Sequence, residues 1–375
     1  MKIVLAPDKF KNSLSGIEFC EAVEAGIKKI SPDAEIVQLP LADGGDGTIE
    51  VINYYLKGNF ISVEVHNPHF KTIKASYLYS ESSQTAFIEM AEASGVKLLE
   101  NEQLNCKNAT TYGTGEMILD AINNGAAKII LGLGGSATND CGIGMASALG
   151  YEFLDKNNKP VIPIGANLSK IVSINSTHVN SKLRNVLFEI ACDVSNPLYG
   201  KNGAAHVYAA QKGATPEDIE MLDQGLQDFS VVLGSVFQID VQQIKGAGAA
   251  GGMGIASKVF LNGTLEPGIQ LIKKLSNFSE KIEGAQWVIS GEGKLDSQTL
   301  SGKTIQGVVT TAKQKDIAVA LFCGAIDLPE TTVKDFGVSY TASIMEQAVD
   351  FDDAMRNTNE YLQQIASSFA QKKMK

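Results

Sequence analysis

The residues able to do chemistry in this chain fall in short stretches dense in carboxylates, lysines and glycines. Asp8, Lys9, Lys11 and Ser13 lie within residues 8–13. Asp43, Gly44, Gly45 and Asp46 precede Gly47 and Thr48. Gly134, Gly135, Ser136, Asn139 and Asp140 occupy residues 134–140, and Glu292, Lys294, Asp296 and Gln298 occupy residues 292–298. Asp193 stands alone after an apolar run. With Arg184 and Arg356 as the only arginines, bidentate arginine forks are not the main anion-binding device here. Lysine charges, backbone amides and a metal ion remain.

Residues 128–150, KIILGLGGSATNDCGIGMASALG, are the stretch around which the chain is arranged. A short apolar run predicts a buried strand, the glycines a turn, and Ile143, Met145, Ala146 and Leu149 a helix capped by Asn139 or Asp140. Strand, glycine turn and helix N-terminus point free N–H groups at an anion, and the helix dipole adds to the attraction.

The elements that must position these residues follow a strand–loop–helix rhythm. Residues 2–6 predict a strand ending at Pro7, followed by a helix opened by the capping-box pair Ser15 and Glu18. Residues 36–39 predict a strand, and 48–56 a helix. Lys9 and Lys11 read equally well as a solvated turn; of Asp43 and Asp46, helix capping accounts for one, leaving the other for a metal or a hydroxyl. From residue 61 the pattern alternates around Asn67 and Pro68, which predicts an antiparallel hairpin, with His66 and His69 as ordinary surface histidines. Residues 85–90, 151–155 and 186–192 predict strands, 114–124 a helix, and Thr215-Pro216 a helix start. Asp193 fits either metal or hydroxyl contact at a strand end or a turn-initiating role. GAGAAGGMG at 246–254 predicts close backbone packing. Residues 287–290, 318–323 and 340–344 restore the βα rhythm, with residues 291–299 as a loop and one final helix from about residue 346.

This order predicts an α/β protein of two domains. An outer Rossmann- or flavodoxin-like parallel-sheet domain, 1–62 and 284–375, is interrupted by an inserted mixed α/β domain, 63–283, that carries the glycine turn. The polar loops would then face one cleft.

Composition sets limits. A net charge of -10 argues against nucleic acid or an anionic membrane as partner. Five widely spaced cysteines without a CxxC pair read as core thiols of a reducing, cytoplasmic compartment, and no apolar run reaches signal or transmembrane length. Monomer and homodimer are both compatible with the chain.

Generic motifs fit poorly. Gly302-Lys303-Thr304 ends like a Walker A loop, but Ser297 stands where its first glycine belongs. Gly132-Leu133-Gly134-Gly135-Ser136-Ala137 matches a dinucleotide fingerprint, with Asp155 as the ribose acid, yet Thr138-Asn139-Asp140 interrupts the helix that should follow. No nucleophile elbow is present. A hydroxy-acid dehydrogenase and a sugar-acid binding protein are the competing readings.

Taken together, the loops resemble the bacterial glycerate kinase family of glyoxylate and sugar-acid catabolism. The matching stretches are APDKFKNSLS (6–15), PLADGGDGT (40–48), GTGE (113–116), LGLGGSATND (131–140), ACDVSNPL (191–198), QKGA (211–214), GAGAAGGMG (246–254) and SGEGKLDSQTLSGKT (290–304). The sequence departs from the family pattern at Asn12, Leu41, Asp46, Cys141 and Lys294, where glycine, methionine, glutamate, glycine and arginine are usual; only Lys294 changes recognition geometry. The resemblance implies ATP-dependent, magnesium-assisted phosphorylation of D-glycerate, giving 2-phosphoglycerate rather than 3-phosphoglycerate. In that chemistry Lys9, Asp193 and Asp296 are the expected catalytic residues, and Asp193 and Asp296 also hold Mg2+. Asp8, Lys11, Ser13, Asp43, Gly44, Gly45, Asp46, Gly134, Gly135, Ser136, Asn139, Asp140, Glu292, Lys294 and Gln298 are the expected contacts to glycerate and ATP.

Overall fold

The computed structural model describes residues 1–44, 47–99, 104–296 and 303–374. They form two compact units, one of Met1–Tyr55 with Gly268–Lys375 and one of Leu56–Pro267. Residues 56–62 and 268–283, which the sequence pattern places across the domain boundary, therefore group the other way. Strand β3 (Asn59–His66) explains the first shift, since it pairs along its whole length with β4 (Thr72–Ser80).

The first unit is built on five parallel strands in the order β13-β12-β11-β1-β2. These are β1 (Lys2–Leu5), β2 (Glu35–Gln38), β11 (Trp287–Leu295), β12 (Ala318–Ile326) and β13 (Tyr340–Ser343). Helix Gly16–Lys28 follows β1 and has its capping box intact, with Ser15 Oγ accepting from Glu18 N and the Glu18 carboxylate accepting from Ser15 N. Its apolar face joins Phe322, Leu362 and Phe369 in one core. Two expectations are corrected here. Residues 291–295 are strand rather than loop, because β11 stays paired with β12 as far as Leu295 and Ile326. The final helix is broken, with a short turn at Ile344–Glu346, helix Phe351–Arg356, and helix Thr358–Lys373 beginning after Asn357.

The second unit holds six strands in the order β10-β9-β6-β5-β4-β3. The β3–β4–β5 part is antiparallel, while β5 (Thr85–Glu89), β6 (Lys128–Gly132), β9 (Leu187–Ala191) and β10 (Thr264–Glu266) run parallel. Mixed pairing follows from chain order, since a tight hairpin can join only antiparallel neighbours. The strands β7 (Glu152–Leu154) and β8 (Ser173–Asn175) form a separate antiparallel pair. Among the described residues, no helix is long and apolar enough to cross a membrane. All five cysteines are free and buried, in keeping with core thiols.

Candidate functional site

Register decides where the glycine turn is presented. Gly132 at the end of β6 aligns with Glu89 on β5 and Ala191 on β9, so the segments after these three strands leave the same edge of the sheet. This is the carboxyl edge, where open α/β sheets bind ligands. It carries residues 134–140 after β6 and Asp193, half-buried, after β9.

The turn has an open face and a built back. Gly134 and Gly135 are exposed, and a Cβ at Gly134 would meet nothing within 4 Å. Gly135 takes a φ of +70°, a conformation that favours glycine. Behind them Ser136, Thr138, Asn139 and Asp140 are buried, the last three fully. The Ser136 side chain is engaged on the inner side: its Oγ lies 2.7 Å from the Lys212 ammonium, which also donates to the Thr138 carbonyl at 2.9 Å.

Asp140 anchors the other end. Its carboxylate accepts from Thr111 N and Thr111 Oγ1, both at 2.8 Å, from Gly142 N at 3.1 Å and from Gly144 N at 3.2 Å. Burial pushes its carboxyl up, and these hydrogen bonds oppose the shift. The helix that follows is only Ile143–Ala148, with left-handed Gly142 at its N-cap position, so neither Asn139 nor Asp140 is the formal cap. Asp140 nonetheless ties down that helix's first amides. An acid that would repel pyrophosphate in a dinucleotide site is here internally compensated. Asp155, the ribose acid of that alternative, lies in an exposed turn after β7, outside the sheet of β6, and accepts from Asn157 N and Lys159 N.

The GAGAAGGMG segment packs against the turn, as its small residues predict. Ala250, Gly251 and Gly252 all have positive φ, interrupting helix Ala249–Phe260. A Cβ on Gly251 would come 2.2 Å from the Thr138 carbonyl and 2.6 Å from Asn139 Cα. Cys141 N closes the contact by donating to the Gly251 carbonyl at 2.9 Å.

The first unit gathers a second set of the expected residues at the carboxyl edge of its own sheet. Asp8 follows β1, its N–H donating to the Gly291 carbonyl of β11 at 3.0 Å, and Leu41 N after β2 reaches the Pro7 carbonyl at 2.8 Å. Asp8 accepts from Thr304 Oγ1 at 2.7 Å and from Lys9 N at 2.8 Å. Burial pushes the Asp8 carboxyl up, with the Asp43 carboxylate adding to it, while Thr304 and Lys9 pull it down. Lys9 is half-buried, its Cδ 3.3 Å from where a Gly47 Cβ would stand; Lys11, Asp43 and Gly44 are exposed.

Two of the other expected contacts, Ser13 and Lys294, are engaged by side chains of the same unit. Ser13 Oγ is 2.6 Å from Thr358 Oγ1 and ties the loop to the last helix. Asn12, where the family has glycine, adopts a left-handed conformation with φ +64°. Glu292 and Lys294 lie on β11 opposite Cys323 and Ala325, and Lys294 forms an exposed ion pair with Asp327 at 3.3 Å. Asp296 is half-buried just beyond β11. Gly45, Asp46 and Gln298 lie outside the described residues.

The glycerate kinase family model matches residues 3–373. The chain belongs to the glycerate kinase family. A Bacillus cereus relative described as glycerate kinase is 42% identical over 370 residues, covering 99% of this chain and 97% of the relative. An Escherichia coli relative described as glycerate 2-kinase is 39% identical over 356 residues, covering 95% and 93%. The crystal structure of a candidate glycerate kinase 2 from Salmonella typhimurium superposes with a TM-score of 0.88 at 38% identity, covering 99% of this chain and 98% of that one.

Three residues without a part in the sequence pattern hold the two sets of candidate residues: Lys212 and Thr111 behind residues 136–140 in the second unit, and Thr304 beside Asp8 in the first. Lys212 and Thr304 lie inside quoted family stretches but had no role there. Nothing in the local sequence marks Lys212 as buried, since it follows Gln211 in a short turn; its burial comes from the packing of that turn behind residues 136–138.

Proposed function

We propose that this protein transfers the γ-phosphoryl group of ATP to D-glycerate, at the hydroxyl of carbon 2. The observation that carries the reading is the glycine turn at the carboxyl edge of the second sheet, open at Gly134 and Gly135 and backed by a buried lysine, in a chain of the glycerate kinase family. The similarity to the Escherichia coli protein named glycerate 2-kinase supports the choice of hydroxyl.

Phosphoryl transfer asks the protein chiefly for positioning and charge neutralisation. The amides of residues 134–136 cradle phosphate oxygens, and Lys9 neutralises phosphate or the glycerate carboxylate. Asp193 or Asp296 accepts the proton that the attacking hydroxyl loses. Lys11, Asp43, Gly44 and Glu292 are the remaining contacts proposed for glycerate and nucleotide.

Among the described residues, no group of three or more His, Cys, Asp or Glu side chains is gathered to hold a metal. Magnesium takes one or two carboxylate oxygens and completes its shell with water and substrate phosphates. Asp193 and Asp296 offer hard oxygens of the right kind. Held at either carboxylate, the ion would offset charge on the transferring phosphoryl group.

The test is purified protein with D-glycerate, supplied either with ATP and magnesium or with a nicotinamide cofactor. ADP release that depends on D-glycerate is the expected result. Cofactor absorbance change without ADP release would establish a dehydrogenase instead.

A further inference from the structure

Lys212 belongs to the QKGA stretch, which the proposed chemistry leaves without a role. Among the described residues, Lys212 and Asp140 are the buried charged side chains, and Lys212 is 4% exposed. Its two hydrogen-bond partners are neutral, the Ser136 hydroxyl and the Thr138 carbonyl. A buried ammonium that hydrogen-bonds only neutral groups is costly to fold around, and perturbed buried charges of this kind mark functional sites. The turn it supports has little other side-chain support: Thr138 Oγ1 and both polar atoms of Asn139 are buried without a hydrogen bond. Residues 136–140 are thus held through side chains at a cationic point, Lys212, and an anionic one, Asp140.

We propose that Lys212 is a positioning residue for nucleotide phosphate: from behind, its ammonium fixes Ser136 and Thr138 and gives the glycine turn its positive charge. This rests on reading that turn as the phosphate site. Lys212 does not reach the ligand-facing surface; it acts through the loop and through the field it sets up in a poorly solvated interior.

The charge is titratable. Burial pulls the Lys212 ammonium down to about 8, and of the titratable groups around it, Cys106 and Asp140, only the Asp140 carboxylate opposes this near pH 8. The Cys106 thiol is itself pushed up to about 11 by burial, so it is neutral in this range. An unfolded lysine titrates near 10.5, so between about 8 and 10.5 the unfolded chain binds more protons, and this group's contribution to stability rises with pH. Loss of the proton therefore removes charge from the turn without loosening the fold. A purely structural ammonium predicts the reverse.

The experiment measures nucleotide affinity by calorimetry, kcat/KM for ATP, and unfolding free energy in urea, each from pH 6.5 to 9.5, for the wild type and Lys212→Met. In the wild type, affinity and kcat/KM should fall through pH ~8 while stability holds or rises. Lys212→Met should bind ADP roughly 10- to 100-fold more weakly, with no alkaline limb in that range. Should Lys212→Met fail to fold, the wild-type profiles decide alone. An alkaline limb absent from wild-type affinity, affinity falling together with stability, or a folded Lys212→Met that binds ADP like wild type would each overturn the proposal. Absence of turnover with D-glycerate would instead sink the kinase reading, while ADP affinity still reports on Lys212.

Discussion

Gly134 separates a ligand effect from a folding effect. Its φ is not positive and a Cβ there meets nothing within 4 Å, so the protein should tolerate Gly134→Ala without a change in Tm. A methyl group on the open face of the turn should nevertheless obstruct phosphate, raising KM for ATP by roughly tenfold or more. An unchanged KM would remove the turn from the nucleotide site. Asp193→Asn should lower kcat by about 10²–10³, the range seen when a charge contact made in the transition state is lost. Unchanged turnover would reduce Asp193 to a turn former. Asp8 offers a pH test. Since the Thr304 hydroxyl favours its carboxylate form, Thr304→Val should raise the Asp8 pKa further and move the acid limb of kcat/KM to higher pH. A limb that stays in place would show that Asp8 does not need to be ionised for turnover.

At the scale of elements, the turn depends on a segment more than 100 residues away in sequence. Gly251→Ala would drive a methyl group into the Thr138 carbonyl in a left-handed conformation, and should cost at least about 2 kcal/mol in urea unfolding. Retention of full stability would mean that the GAGAAGG backbone is free to move off the loop. The small residues of that segment made close packing legible, but the surface they pack against was not, because contact between residues 138 and 251 leaves no periodic signal. Capping was legible where side chain and spacing are local, as at Ser15 with Glu18 and Thr215 with Asp218. It was misjudged at Asp140, whose carboxylate divides itself between the short helix and Thr111, a residue far earlier in the chain. The Gly291-Glu292-Gly293 run read as a loop because glycine and charge are turn signals; pairing of β11 with β12 overrides local propensity there.

At the scale of the whole molecule, each unit has a hydrophobic core against its sheet, and all five thiols are buried. Native protein should accordingly show no rapidly reacting thiol toward a disulfide reagent and five after denaturation. A fast-reacting cysteine in native protein would place a thiol at the surface. The alternation of strands and helices disclosed the parallel sheets, and the hairpin pattern the antiparallel edge. The candidate residues stand out in the sequence as loops dense in glycine and charge, but which side chains face outward was not legible: Ser136, Asn139 and Asp140 are interior, and Lys212 is the cation behind the turn. Transfer of phosphate from ATP to glycerate is the reaction proposed for this chain. Phosphorus NMR of a reaction containing D-glycerate, ATP and magnesium tests it directly. The ATP γ resonance should be lost and a phosphomonoester resonance coupled to the proton on carbon 2 should grow; inorganic phosphate alone, or no change, would rule the transfer out.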